Sequence, residues 1–133
     1  MDLDKSSLRL LIVDNQDSYR MSLVRTLKRN RYSNVDDTYD CRLAESSFRN
    51  YDVLLVDTDM DPDYGPDVCR NIRGQEGGDS VVIIGMSLMF LTPGRAEDWK
   101  NAGSDDYISK RDLSPSKRGY LDGVIQKALE NRR

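Results

Sequence analysis

A chain of 133 residues, 38% hydrophobic and 32% charged, is long enough for one packed core and too short for two comfortable domains. Twenty basic against 23 acidic side chains leave a net charge of −3, a balance that invites neither nucleic acid nor an anionic membrane surface. The chain has no histidine, which removes the commonest general base and metal ligand together with every Ser-His and Cys-His nucleophile pair. Any chemistry must run on carboxylates, hydroxyls and lysine.

Leu8 to Val13 is an apolar run too short for a helix and rich in branched residues. With Asp52 to Val56 and Val81 to Ile84 it reads as a strand buried on both faces, the mark of a parallel sheet covered by helices. After the first run, Asp17 or Ser18 is placed to cap a helix with Leu23, Val24 and Leu27 on one side and a basic end, Lys28 to Arg31. A weaker strand is expected around Val35 to Tyr39 and a short helix from Arg42 to Phe48. The loop Thr58 to Tyr64 leads into a helix from about Gly65 to Ile72, which a glycine-rich break at Gly74, Gly77 and Gly78 ends. Pro93 opens another helix, Gly103 closes it, and Tyr107-Ile108 makes a modest fifth strand. The last helix is expected to start near Ser114-Pro115 and to carry Tyr120, Val124, Ile125 and Leu129 at helical spacing.

Five strand-then-helix units imply an α/β fold: a doubly wound five-stranded parallel sheet with helices on both faces, in one domain over residues 1–133 with its core at about 8–131. Cys41 and Cys69 lack a metal-ligand spacing, no apolar signal segment precedes the first strand, and no apolar run could cross a bilayer. The expectation is a reduced, cytoplasmic protein without a membrane or nucleic-acid partner.

Sites in such sheets lie at the carboxyl ends of the strands. Asp14-Asn15 end the first strand, Asp57 ends the third, Ser87 follows the fourth and Lys110 the fifth. Paired carboxylates bind Mg²⁺ through oxygen, and a lysine with a hydroxyl can hold the remaining oxygens of a phosphoryl group. Each residue alone is more often a turn former or helix cap, so their joint placement carries the argument. The acidic run Asp57 to Asp63 lacks the spacing of an EF-hand and reads as a solvated loop in which Asp59 can still help a metal. Trp99, in a polar helix, is equally an anchor for a partner or a residue packed on the sheet. Lys117-Arg118 and Arg132-Arg133 read as solvated helix ends.

The stretches LLIVDN, YDVLLVDTDM, VVIIGMS and AGSDDYISK, in this order and at these intervals, resemble the receiver domain of two-component response regulators over nearly the whole chain. The resemblance implies the flavodoxin-like (βα)5 receiver fold and a single-domain regulator in phosphorelay signalling. Asp57 would accept a phosphoryl group from a sensor histidine kinase or phosphotransfer protein, which explains why the donor histidine is not in this chain. It further implies Mg²⁺ at Asp14, Asp57 and the backbone carbonyl of Asp59, with Ser87 and Lys110 clasping the acyl phosphate. Ser87 and Tyr107 would form a switch pair, and a downstream protein would dock on the fourth helix, fifth strand and fifth helix. Beyond self-catalysed phosphorylation and dephosphorylation of Asp57, no enzyme activity is implied.

Several positions depart from the family pattern. A second acid at the end of the first strand is replaced by Asn15, which removes one charge and weakens Mg²⁺ binding. Leu88 stands beside Ser87 where the family keeps a small residue, and its bulk is expected to narrow the approach to Asp57. Arg111 replaces a proline, and Met60-Asp61-Pro62 replaces a Met-Pro pair, which shifts the loop by a residue. Two alternatives stay open: a receiver-fold interaction module that takes no phosphate, and an Asp-nucleophile phosphatase, since Asp57-x-Asp59 resembles the haloacid-dehalogenase motif. The chain ends just after the fifth helix, so output is expected through a partner.

Overall fold

The computed structural model describes residues 3–88 and 92–132. Five strands, β1 (Arg9–Val13), β2 (Asn34–Thr38), β3 (Val53–Asp57), β4 (Val82–Ser87) and β5 (Asp106–Ser109), form one parallel sheet in the order β2-β1-β3-β4-β5. Between and after them lie α1 (Asp17–Arg29), α2 (Cys41–Ser47), α3 (Gly65–Arg73), α4 (Pro93–Ala102) and α5 (Tyr120–Asn131). The order reverses beside β1, which places a crevice at the carboxyl ends of β1 and β3.

Every residue of β3 and β4 is buried, as their unbroken hydrophobicity requires. Alternation along the strands divides their side chains between two cores. Leu10, Ile12, Leu55, Ile84 and Met86 pack with Leu23 and Leu27 of α1 and Leu121, Ile125 and Ala128 of α5. Leu11, Val13, Leu54, Val56 and Ile83 face Ala44 of α2, Val68 and Ile72 of α3, and Trp99 of α4. Among the described residues, no helix is long and apolar enough to cross a membrane. Cys41 and Cys69 are free and buried, and burial pushes their thiols up to about 12 and about 11, so they remain protonated and inert.

The helix ends follow local chemistry with two corrections. Asp40 caps α2 by accepting from the N–H groups of Arg42 and Leu43, and Thr92 caps α4 at the N–H of Arg95. The cap of α1 is neither Asp17 nor Ser18 but Gln16, whose own N–H donates to Asp14 Oδ1; Asp17 is the first helical residue and pairs with Arg20. The final helix begins at Tyr120, not at Ser114-Pro115. Pro115 holds Ser114 extended (ψ 157°), only short 3₁₀ turns follow, and Gly119 turns the chain at φ 91° before α5 opens. Tyr120 consequently points outward, while Ile125 is buried and Val124 and Leu129 are half-buried.

The contacts of α5 fix its path. Near its start Asp122 pairs with Lys5 at 2.9 Å and accepts from the Tyr32 hydroxyl, both just ahead of β1 and β2. Past its end Arg132 pairs with Asp105, just ahead of β5, at 2.7 Å. The helix therefore crosses the sheet near the amino ends of the strands and leaves the opposite edge to the polar residues.

Trp99 is fully buried against the sheet and lies over two glycines. A Cβ at Gly85 would sit 2.4 Å from the indole, and one at Gly65 would sit 2.6 Å from it and 2.2 Å from the Asp57 carbonyl oxygen. Overpacking of this kind typically costs about 1–3 kcal/mol. Gly85→Ala should lower unfolding free energy by at least that order in urea titrations, and a second change, Trp99→Leu, should recover part of the loss.

Candidate functional site

Parallel register brings the carboxyl ends of β1, β3, β4 and β5 to one edge: Val13 lies beside Val56, Asp57 beside Met86, and Ser87 beside Ser109. Asp14 follows β1, Asp57 closes β3, Ser87 closes β4 and Lys110 follows β5. All four are buried, at 0%, 6%, 5% and 4% exposure respectively.

Lys110 Nζ stands between the two carboxylates, 2.7 Å from Asp14 Oδ2 and 3.2 Å from Asp57 Oδ1. The shorter distance is an ion contact without hydrogen-bond geometry, so Asp14 Oδ2 remains a buried oxygen lacking a hydrogen-bond donor among the described residues. Two carboxylates against one ammonium leave an excess negative charge. Burial, and next the charge of Asp14, push the Asp57 carboxyl up to about 6, against the opposing pull of Lys110.

The remaining candidates are spread around this triad. The Asp59 carboxylate is turned toward α4, where Arg95 holds it at 2.9 Å. Leu88 follows Ser87 and is 49% exposed, so much of its side chain faces solvent. Tyr107 is half-buried; its ring stacks on Trp99 at 6.1 Å between centroids, and its hydroxyl is buried without a hydrogen-bond partner among the described residues. The shifted loop after Asp57 forms a two-residue ladder, Asp59–Met60 against Asp63–Tyr64, with a cis Asp61–Pro62 bond between.

Sequence reasoning missed three residues at and around this edge. Tyr19 lies with its ring under the Lys110 ammonium, 4.2 Å from its centroid. Its spacing four residues before Leu23, on the buried side of α1, was the available signal. Thr58, next to Asp57, is fully buried, donates to the Met86 carbonyl at 2.6 Å and accepts from the Trp99 indole at 3.0 Å. Tyr64 donates to Asp98 on α4 at 2.6 Å. Together with Arg95, these contacts tie α4 to the loop that follows Asp57, and only three-dimensional proximity reveals them.

The raised Asp57 carboxyl has a stability consequence. Its folded value of about 6 lies above the ordinary carboxylate value of 3.8, so its charged form costs stability above pH 6 and the cost vanishes below about pH 4. In metal-free buffer Asp57→Asn should therefore stabilise the domain by about 1–3 kcal/mol at pH 8, with the gain shrinking toward zero at pH 4. Thermal unfolding of both proteins across that range checks the sign.

The response regulator receiver domain family matches residues 10–116. The transcriptional regulatory protein ResD of Bacillus subtilis is 32% identical over 104 residues, covering 77% of this chain and 41% of its own length. Response regulator MprA of Mycobacterium tuberculosis is 34% identical over 106 residues, covering 78% of this chain and 44% of its own. The chain thus spans less than half the length of these curated relatives. Among solved structures, the signal receiver domain of a DNA-binding response regulator from Colwellia psychrerythraea superimposes with TM-score 0.76 at 19% identity, covering 93% of this chain and 99% of that one. Chemotaxis response regulator CheY4 of Vibrio cholerae does so with TM-score 0.69 at 19% identity, covering 95% and 98%. These likenesses identify the flavodoxin-like receiver fold. With the family match over residues 10–116, they establish that the chain belongs to the response regulator receiver domain family.

Proposed function

We propose that this receiver accepts a phosphoryl group on Asp57 from a phosphohistidine of a sensor kinase or phosphotransfer protein and signals through protein contacts. The observation that carries this reading is the burial of Lys110 between Asp14 and Asp57 at the edge where Ser87 also ends its strand. An isolated buried triad with excess negative charge costs stability, and an interaction module without phosphate has no physical need of it.

In the transfer, an Asp57 carboxylate oxygen attacks phosphorus. The new O–P bond forms as the donor N–P bond breaks, and the electron pair leaves with the imidazole nitrogen, which takes up a proton. Lys110 is already within 3.2 Å of Asp57 and would supply charge to a phosphoryl oxygen, while the Ser87 hydroxyl would donate to another. The donor set is all oxygen and the buried Asp14 Oδ2 lacks a hydrogen bond among the described residues, which fits a hard cation. Mg²⁺ would be held by Asp14, Asp57 and the backbone carbonyl of Asp59, and would neutralise phosphoryl oxygens. Asn15 offers a neutral oxygen at most, which lowers the charge of that set. Ser87 and Tyr107 are the residues through which occupancy of Asp57 would reach the surface of α4, β5 and α5.

Incubation with Mg²⁺ and acetyl phosphate, read by intact mass, should add one phosphoryl group to the wild type and none to Asp57→Asn. Unchanged labelling of that variant would place the acceptor elsewhere, and an unlabelled wild type would favour the phosphate-free interaction module. Asn15→Asp should tighten Mg²⁺ binding by about tenfold in calorimetric titration, the order expected of one added carboxylate ligand. No gain would mean that residue 15 does not face the ion.

A further inference from the structure

The ammonium of Lys110 has three walls. Two are the carboxylates of Asp14 and Asp57, and the third is the face of Tyr19, 4.2 Å away at the ring centroid. That distance lies within the range in which a ring quadrupole attracts a cation, and the attraction grows when both partners are removed from water. Lys110 is 4% exposed and Tyr19 packs against the core that contains Leu23 and Leu27. A lysine stem has four flexible bonds and would otherwise be free to settle on the nearer, fully buried Asp14.

We propose that Tyr19 is a positioning residue for the phosphoacceptor site, its ring face holding the Lys110 ammonium between Asp14 and Asp57 so that the charge is in place for an incoming phosphoryl group. The proposal rests on the reading of Asp57 as phosphoacceptor and adds a residue to it. The Tyr19 hydroxyl is buried without a hydrogen-bond partner among the described residues, so no hydrogen bond anchors the side chain and the ring itself makes the useful contact. Burial, then the charges of Asp14 and Asp57, raise the phenol well above its ordinary value, which keeps it neutral beside the carboxylates. A residue that only filled space here could be aliphatic and would leave no buried hydroxyl unsatisfied.

Three variants separate the ring from the hydroxyl and from bulk: Tyr19→Phe keeps the face, whereas Tyr19→Leu and Tyr19→Met fill the volume without it. Two measurements apply to each. The first is the proton chemical shift of the Lys110 ε-methylene, which a ring face moves upfield whether or not the protein takes phosphate. The second is the rate of Asp57 labelling by acetyl phosphate with Mg²⁺. The wild type and Tyr19→Phe should share the upfield shift and label within about twofold of each other, while the aliphatic variants should lose the shift and label roughly tenfold more slowly. Tyr19→Met stands in if Tyr19→Leu fails to fold. Absence of the upfield shift in the wild type, labelling of the aliphatic variants at the wild-type rate, or a Tyr19→Phe variant as slow as Tyr19→Leu would each overturn the proposal. If the wild type shows the shift but takes no label, the phosphoacceptor role of Asp57 fails, and with it the positioning role, while the Tyr19 contact with Lys110 stands as measured.

Discussion

One ammonium shared by two buried carboxylates is the interaction on which the rest of this site depends. Lys110 stands 2.7 Å from Asp14 and 3.2 Å from Asp57, and all three are buried. Taking these charges out of solvent is costly, and their attraction offsets the cost only if the backbone holds them at short range. The scaffold that does so is the pairing of β1 with β3, of β3 with β4 and of β4 with β5, whose shared parallel register stops all four strands at the same edge. Because negative charge exceeds positive, the triad favours a cation or a positively assisted ligand.

The second theme is how α4 is bound to that edge. A helix with a polar sequence is anchored by a single buried indole, which lies over Gly65 and Gly85 and donates to Thr58. Thr58 passes the connection to the Met86 carbonyl, one residue before Ser87. Arg95 with Asp59 and Asp98 with Tyr64 add two further ties between α4 and the loop after Asp57. Tyr107 stacks on the same indole, so the aromatic of β5 and the helix α4 share one packing partner. A movement of the loop beside Asp57 would therefore be felt by α4 directly.

The path of α5 also bears on the outer surface. Its contacts with Lys5 and Tyr32 at one end and with Asp105 at the other draw it across the amino ends of the strands. The descending segment from Lys110 to Gly119 runs in 3₁₀ turns. The surface offered beside β5 is accordingly made by α4 and by this segment as well as by α5 itself.

Continuous apolar runs, turn residues and polar residues at run ends were enough to determine the strand count, the parallel sheet and the positions of Asp14, Asp57, Ser87 and Lys110. Those features depend on local periodicity and on the rule that sites gather at strand carboxyl ends, and both are written along the chain. Helix starts were less legible, because Gln16 caps α1 through a backbone contact with Asp14, and the Pro115 segment winds as 3₁₀ turns before Gly119 releases α5. Tertiary structure alone decided that Trp99 faces the sheet, that Asp59 is taken by Arg95, and that Tyr19 lies against Lys110. Each of those is a meeting of residues on different elements, whose outcome depends on helix rotation and packing depth, and no pattern of residue types along one segment encodes either.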